Sequence, residues 1–321
     1  MKRFIPVLAT CLAISGMAVA AETPRLDGPL TIVVGYGPGG SSDRTARIVG
    51  NALAQEIGVP VVVENRAGAG GRLAAQHFTR LDADANALLL GNPAIMSVAP
   101  VVYQNAGYEP KKDFQPVSLM ASYTFALAVP ATSPIQNLKE LKTHLDEQKS
   151  GPMNVGVPAT GSLPHFFGMM VADALDQEVE VIGYKGSAQL QTELVGEHIP
   201  YAIDGFDSLS PLHAGQKIRI LAVSGTEREP SAPEIPTFKE SGFDIEGIGW
   251  NGFWAPAAMP KDKVEYLNQA IVKVMHQPDV QEALKAAQMG VIVADLEQTQ
   301  KILDEFDQRW VPVVKQSGFT Q

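Results

Sequence analysis

Short apolar runs alternate with amphipathic segments along the first third of the chain. Leu30–Val34, Val61–Val63 and Leu88–Leu90 have the length and composition of buried strands. Between the first and second of these strands, the apolar positions of Ser41–Ile57 recur with helical spacing. Leu73–Leu81, between the second and third strands, is predicted to form another helix. Strands that alternate with helices in this way predict a parallel sheet with helices on both faces.

The same alternation begins again further along the chain. The predicted strands of this second unit are Phe125–Val129, Met153–Val157, Val179–Ile182, Tyr201–Ile203 and Ile218–Val223. Its predicted helices are Leu138–Leu145, a helix carrying Phe166, Met169, Met170 and Ala174, and Leu190–Val195. A Pro- and Gly-rich passage then precedes three further helices at about 261–276, 280–287 and 296–315. We therefore predict two similar α/β units and a C-terminal helical part that packs on either.

The N-terminal residues predict export. Lys2 and Arg3 precede the apolar run Phe4–Val19, and Ala18-Val19-Ala20 places small residues before a cleavage site. We interpret residues 1–20 as a secretory signal peptide, too short and too weakly flanked to be a permanent membrane span. A lipoprotein signal at Cys11 is a weaker alternative, because only seven residues separate Arg3 from this cysteine.

Charge and composition narrow the class of protein. The 321 residues carry a net charge of −10, which becomes −12 when Lys2 and Arg3 leave with the signal peptide. This charge argues against nucleic acid as a partner. Hydrophobic residues make up 45% of the chain and charged residues 19%, so packed cores are expected rather than disorder. A single cysteine excludes a disulfide scaffold.

A glycine-rich loop follows the first predicted strand. Gly35-x-Gly37-x-x-Gly40 matches the dinucleotide fingerprint, and Glu64 ends the next strand, where an acidic residue would hold a ribose. This pattern keeps an exported NAD(P)-dependent oxidoreductase open as an alternative. The predicted export argues against this alternative, because soluble NAD is scarce outside the cytoplasm and the signal peptide has no twin-arginine pair. The simpler interpretation is an anion site at a helix N-terminus.

A second loop of the same character, Gly156–Ser162, follows another strand and opens another helix. Ligands of open α/β sheets bind beyond the carboxyl ends of the strands. Two such loops in two units predict a cleft that closes on one ligand from both sides.

Signatures of catalysis are absent from the sequence. It contains no H-E-x-x-H, G-x-S-x-G or G-x-x-x-x-G-K-[ST] motif, and its six histidines lack ligand spacing. A periplasmic hydrolase is disfavoured because no nucleophile–base pair can be named. We expect no enzymatic activity, no cofactor and no metal site.

Several blocks of the sequence resemble one family of receptors. They are Ile32–Asp43, Val61–Gly71, Leu88–Gly91, Tyr184–Ala188, Leu221–Ser224 and Phe253–Ala257. In this order they are similar to the solute-binding receptors of tripartite tricarboxylate transporters, the Bug family. The resemblance runs from about Pro29 to the C-terminus. It implies a type II periplasmic binding protein fold, capture of a small carboxylate between two lobes, and delivery to membrane transporter subunits.

The resemblance also maps two ligand loops onto Gly35–Asp43, here called the first loop, and Gly156–His165, the second loop. Members of the family hold a carboxylate largely through main-chain N–H groups and bridging waters. The second loop departs from the family, because Gly156-Val157-Pro158-Ala159 stands where Gly-Ser-Ser-Gly is common. Asn92-Pro93-Ala94 likewise stands where small hydroxyl residues are frequent, and Gly35 replaces a common proline. These changes favour a ligand with an apolar or aromatic body.

We therefore predict an exported, periplasmic, monomeric binding protein of α/β class. Its first lobe is predicted to comprise residues 27–125 and 226–321, its second lobe residues 126–225, and each lobe a mostly parallel sheet flanked by helices. The candidate ligand-binding residues are Tyr36, Gly37, Gly39, Gly40, Ser41, Ser42, Asp43, Asn92, Val157, Pro158, Ala159, Thr160, Gly161, Ser162, His165, Lys185 and Asp204.

Overall fold

The computed structural model describes residues 26–82, 84–147 and 151–320, so the predicted signal peptide lies outside the described residues. The strands are β1 (Leu30–Val34), β2 (Val61–Asn65), β3 (Ala87–Gly91), β4 (Phe114–Pro130), β5 (Met153–Val157), β6 (Val179–Gly183), β7 (Tyr201–Gly205), β8 (Ile218–Val223), β9 (Ile248–Pro256) and β10 (Gly290–Val291). The α-helices are α1 (Ser41–Ile57), α2 (Arg72–Phe78), α3 (Ala99–Val102), α4 (Pro110–Asp113), α5 (Leu138–Glu147), α6 (Leu163–Ala174), α7 (Ser187–Val195), α8 (Phe206–Ala214), α9 (Lys261–Met275), α10 (Pro278–Ala286) and α11 (Leu296–Gln316).

Two mixed sheets share the long strand β4. In the first sheet the order is β2-β1-β3-β9-β4, with β10 also on β4. In the second sheet β4 pairs with β7 and β8, and the order continues to β5 and β6. The first part of β4, Phe114–Thr124, pairs with β9, whereas the part from Phe125 to Pro130 pairs with β7 and β8. The chain therefore passes from one sheet to the other at Thr124 and Phe125.

The strand directions make the carboxyl ends of the two sheets face each other. In the first sheet β1 and β3 are parallel, and both run in the direction of β4 because β9 lies antiparallel between β3 and β4. In the second sheet β5, β6 and β7 are parallel to one another and antiparallel to β4. The loops after β1 and β3 thus point toward the loops after β5, β6 and β7. The predicted α/β fold of two lobes with a cleft between them is confirmed.

Apolar stripes explain how the helices cover these sheets. On α1, Ala46, Val49 and Leu53 are fully buried against β1, and Gly58 ends the helix at φ 72°. The C-terminal helix α11 packs along β4 and contacts both α3 and α6, with its aromatic residues in the core. The C-terminal part thus packs on both units.

The strand predictions succeed where apolar runs are continuous and fail at β9. The predictions for Leu30–Val34, Met153–Val157 and Ile218–Val223 match β1, β5 and β8. Residues 242–252 were predicted only as a Gly-rich passage, yet β9 begins at Ile248. Gly249 is needed there, since a Cβ would lie 2.3 Å from the ring of Tyr123.

Residues 226–247 return along the second sheet before β9 begins. Ala232 and Ile235 pack in the cluster formed by β8 and α8, and the Phe238 N–H donates to the Val223 carbonyl at 3.0 Å. The lobe boundaries at 125/126 and 225/226 stay a prediction. Within the ranges that the structure describes, none of the helices combines the length and apolar character that crossing a bilayer requires.

Candidate functional site

The first loop forms a tight turn at the carboxyl end of β1. Gly35 lies against the backbone of Gly71, and a Cβ at Gly35 would approach the Gly71 Cα to 2.7 Å. Gly39 has φ +88°, a conformation that favours glycine, and Gly40 takes the N-cap position of α1. Gly37, Gly39 and Gly40 are all exposed. The loop therefore presents bare backbone to the cleft.

Asp43 holds this turn from within. Its carboxylate accepts hydrogen bonds from the Gly39 N–H at 2.8 Å, from Arg47 Nε at 3.0 Å and from Asn65 Nδ2 at 2.8 Å. Burial alone would raise the pKa of Asp43, but the bonds from Arg47, Gly39 and Asn65 outweigh it and lower the pKa. Asp43, predicted as a ligand contact, thus directs its carboxylate into the protein and shapes the loop.

The hydroxyl groups of Ser41 and Ser42 also bond within the protein. Ser42 Oγ donates to Asn251 Oδ1 at 3.0 Å, and Asn251 Nδ2 donates to Ser41 Oγ at 3.3 Å and Thr45 Oγ1 at 3.2 Å. Asn251 lies on β9 and is fully buried. The hydroxyls of the two serines are therefore engaged with Asn251 on β9.

The start of α1 has the electrostatics of an anion site. The first N–H groups of an α-helix have no partner within the helix, and Gly40 at the N-cap has no side chain to satisfy them. The helix dipole adds a partial positive charge at the same end. An oxyanion placed against Gly40, Ser41 and Ser42 would receive these hydrogen bonds without any cationic side chain.

Tyr36 joins the three loops at the carboxyl ends of β1, β2 and β3. Its hydroxyl contacts the Gly70 carbonyl at 3.0 Å and Asn92 Oδ1 at 3.2 Å. Asn92 Oδ1 also accepts from the Ile95 N–H at 3.2 Å, and burial raises the pKa of Tyr36 to about 12. The structure thus brings Tyr36 and Asn92, two of the candidate ligand-binding residues, into contact with each other.

The second loop uses most of its polar groups internally. The Ser162 N–H and hydroxyl both donate to the Ala159 carbonyl, at 3.3 and 2.7 Å, and the Pro158 carbonyl accepts from the Gly186 N–H. Pro158 has no N–H, and the Val157 side chain is buried in the core. The side chains of this loop that are not buried belong to Pro158, Ala159, Thr160 and Ser162, and that of Thr160 is exposed.

His165 holds the second loop as Asp43 holds the first. Its Nδ1 accepts the Gly161 N–H at 2.8 Å, which assigns the proton of the neutral ring to Nε2. The ring stacks on Phe166 and meets the edge of Phe319, with centroids 4.9 and 4.7 Å apart. Burial lowers the pKa of His165 to about 4, so the ring is neutral at pH 7. Gly161 has φ +76° and lies beneath Phe319.

Asp204 lies near the carboxyl end of β7, and Lys185 follows β6, from which β7 is separated by β5 in the second sheet. Asp204 is 4% exposed at the end of β7, and its Oδ1 accepts from the Gly205 N–H at 2.7 Å. Burial raises the pKa of Asp204 to about 7, opposed by the hydroxyl of Ser187. The Lys185 side chain is exposed, and the main-chain N–H of Lys185 donates to Gln189 Oε1. Asp204 is therefore the more enclosed of these two candidates.

A salt bridge that the sequence patterns did not predict crosses the cleft. Arg44, on the first turn of α1, pairs with Asp207, on the first turn of α8. Tyr123 lies next to the point at which β4 passes from one sheet to the other, and burial raises its pKa. The two helix starts thus meet across the cleft.

The dinucleotide interpretation has little support from the geometry. Glu64, which it assigned to a ribose, is 42% exposed and pairs with Arg66 at 2.6 Å. In the part of the chain that the structure describes, no three His, Cys, Asp or Glu side chains are grouped as a metal site requires.

Comparisons with known proteins agree with this geometry. The family model described as "Tripartite tricarboxylate transporter family receptor" matches residues 45–319. The "UPF0065 protein in tcbD-tcbE intergenic region" of Pseudomonas sp. (strain P51) is 31% identical over 319 residues, covering 91% of this chain and 93% of that protein.

Two solved structures extend the likeness to the whole fold. "R. palustris Rpa4515 with adipate" has a TM-score of 0.84 and 27% identity, covering 91% of this chain and 98% of that one. "Structure of periplasmic binding protein BugD" has a TM-score of 0.80 and 29% identity, covering 92% and 99%. These similar proteins are binding proteins, and they give no support to the oxidoreductase alternative.

Proposed function

The chain belongs to the tripartite tricarboxylate transporter receptor family, and on that premise we propose that it captures a small carboxylate between its two lobes. The observation that carries the proposal is the N-terminus of α1. Gly40 caps this helix without a side chain, and the Asp43 carboxylate and the Ser42 hydroxyl are already engaged with Gly39 and Asn251. A ligand carboxylate would complete these hydrogen bonds.

The body of the ligand would lie against the second loop. That loop satisfies the Gly161 and Ser162 N–H groups internally, and Pro158 has none to offer. A hydroxyl-rich body would leave polar groups unpaired there, each at a cost of about 1–3 kcal/mol. An apolar or aromatic body would instead bury apolar surface, at about 25 cal/mol per Å². We therefore propose a monocarboxylate with an apolar or aromatic body.

Location and partners follow from the same premise. Residues 1–20 have the pattern of a signal peptide, and a similar solved structure is titled a periplasmic binding protein. We propose that this chain acts in the periplasm as a monomer. Its partners would be membrane subunits of a tripartite tricarboxylate-type transporter or of a sensing system.

Thermal shift of ligand-free protein tests the carboxylate proposal. The panel contains benzoate, nicotinate, hexanoate, adipate, glutamate, citrate, NAD and NADP. A ligand at a hundredfold excess over its Kd stabilises the folded state by about 2.7 kcal/mol. We expect stabilisation by apolar or aromatic monocarboxylates and none by the dinucleotides.

Two results would contradict parts of this proposal. Stabilisation by NAD or NADP without any response to carboxylates would overturn the assignment as a carboxylate receptor. Tight binding of citrate with no affinity for benzoate, nicotinate or hexanoate would keep the receptor but reject an apolar ligand body.

A further inference from the structure

The salt bridge between Arg44 and Asp207 places charges beside the proposed ligand. Arg44 lies one turn into α1, whose first N–H groups form the proposed anion site. Nη2 of the Arg44 guanidinium donates to Asp207 Oδ2 across the cleft. The Asp207 side chain is 5% exposed and that of Arg44 is 35% exposed. The pair is therefore partly enclosed and joins the two lobes.

The charge of Arg44 is already balanced where it stands. Asp207 accepts its hydrogen bond, and Asp204 lies three residues earlier, in β7. Asp204 Oδ2 is buried and, within the described residues, has no hydrogen-bond partner. Arg44 Nε is buried and unpaired in the same sense. Asp207 thus takes up the positive charge of Arg44, and Lys185, just after β6, is exposed to solvent.

We propose that Asp207 makes the receptor select ligands with a single carboxylate. The inference rests on the proposed function, because it assumes that a first carboxylate occupies the start of α1. A second carboxylate reaching toward the second lobe would leave water beside Asp204 and Asp207. Arg44 would be a counter-ion for this second carboxylate, but the Arg44 guanidinium is already bonded to Asp207 across the cleft. Like charges brought together at a desolvated interface are strongly unfavourable.

The alternative role for Arg44 is direct contact with the first carboxylate. The geometry disfavours this role, since the guanidinium extends to the opposite lobe and bonds a nearly buried carboxylate there. Arg47, its neighbour one turn further along α1, is likewise engaged, with Asp43.

Hexanoate and adipate form a matched pair of probes for this proposal. Both have six carbons, and they differ by one carboxylate. Calorimetry at pH 7 measures both affinities for the wild type and for Asp207→Asn, Asp207→Ser and the double variant Arg44→Gln with Asp207→Asn. Asp146→Asn, on the exposed surface of α5, is the matched control that removes one carboxylate far from the cleft. Thermal unfolding of each variant checks its fold.

We expect the wild type to prefer hexanoate over adipate by at least about tenfold. Asp207→Asn should reduce that preference by about tenfold or more, because it frees Arg44 for the second carboxylate. The double variant should lose this gain, and Asp146→Asn should leave the preference unchanged. Asp207→Ser should repeat the result of Asp207→Asn, so the test does not depend on one variant folding.

The outcomes separate this inference from the proposed function. If the wild type binds no carboxylate of the panel, the proposed function itself fails. If the wild type binds hexanoate and adipate equally, or if neither Asp207 variant changes the preference, the role of Asp207 is wrong and the receptor assignment stands. Equal loss of both ligands in the double variant relative to Asp207→Asn would show that Arg44 contacts the shared carboxylate, which also overturns the inference.

Discussion

The first loop and the second loop are held by the same kind of contact but by different chemistry. In each, the N–H of a glycine with positive φ donates to the side chain four residues further along. In the first loop that acceptor is the Asp43 carboxylate, which also receives bonds from Arg47 and Asn65. In the second loop it is the neutral ring of His165.

Because of this difference, the two lobes offer different groups to a ligand. The carboxylate of Asp43 holds the first loop while the following helix start stays open to an anion. The second loop satisfies its Gly161 and Ser162 N–H groups internally, and Pro158 removes one more donor. The first loop therefore presents a helix start with open donors, whereas the second loop presents fewer donors and the partly exposed Pro158 and Ala159. A ligand with one charged and one apolar end matches this arrangement.

The largest expected effect comes from Gly40→Pro. Gly40 has φ −74°, which proline adopts, so the change removes the N–H and fills its place with a ring, and it also restricts Gly39 before it, which has φ +88°. We expect binding of monocarboxylates to fall below detection by calorimetry. Gly40→Ala is the matched control, since its Cβ would lie 3.9 Å from the Gly37 carbonyl and the N–H remains. Normal binding by Gly40→Pro would mean that the first loop does not hold the carboxylate.

The second prediction compares the two acceptors directly. Asp43→Ala leaves the N–H of Gly39 and the amide of Asn65 without their acceptor, so we expect a loss of about 3 kcal/mol in the free energy of unfolding. His165→Phe keeps the ring packing against Phe166 and removes one acceptor, with a loss of about 1 kcal/mol at pH 7. Urea unfolding measures both. A larger loss for His165→Phe would reverse the comparison.

The third prediction separates the loops by pH. His165 titrates near 6.5 when unfolded and near 4 when folded, so the unfolded state binds more protons between these values. Lowering the pH from 6.5 to 4 should therefore destabilise the wild type relative to His165→Phe by roughly 2–3 kcal/mol. Asp43, whose pKa is lowered, should lose its contribution only below about pH 4.

Comparison with the variant is needed because Asp204 acts in the opposite direction. Burial raises its pKa to about 7, so ionisation of Asp204 lowers the stability as the pH rises through this range. The contribution of Asp204 is the same in both proteins, so it cancels when the free energy of unfolding of His165→Phe is subtracted from that of the wild type. A difference that stays constant from pH 7 to pH 4 would show that His165 is not held neutral by the fold.

How much of this the sequence predicts depends on the range of the contacts. The start of α1 and its glycine turn were predictable, because the strand, the glycines and the helix are neighbours in the chain. Asn251 and Asp207 were not, since they lie more than one hundred residues from their partners Ser42 and Arg44. His165 was predicted to line the cleft, but its ring turns inward to the Gly161 N–H.

The crossing strands show the same limit in the fold. β4 has register shifts near Pro116 and Leu119, which interrupt the alternation that identifies a strand from sequence. In β9, Gly249 and Gly252 make room for side chains of β4 and leave little apolar pattern of their own. Their pairing with each other is visible only in the assembled sheet.

The smallest expected effect is that of Lys185→Ala. This side chain is exposed, so it would contribute at most the energy of a solvated ion pair, about 1 kcal/mol or less in binding. Calorimetry with the same monocarboxylate measures it beside Gly40→Pro. A larger effect for Lys185→Ala than for Gly40→Pro would mean that a cationic side chain, rather than the helix start, binds the carboxylate.

The amide spectrum of nitrogen-15-labelled, ligand-free protein tests the central claim most directly. Benzoate or hexanoate, whichever binds, is titrated while the N–H signals of both loops are followed. We expect large downfield shifts for Gly40, Ser41 and Ser42, because their amides would donate to the carboxylate, and little change in the Gly161 N–H that donates to His165. Saturable binding with these three signals unmoved, or with the large shifts confined to the second loop, would contradict it.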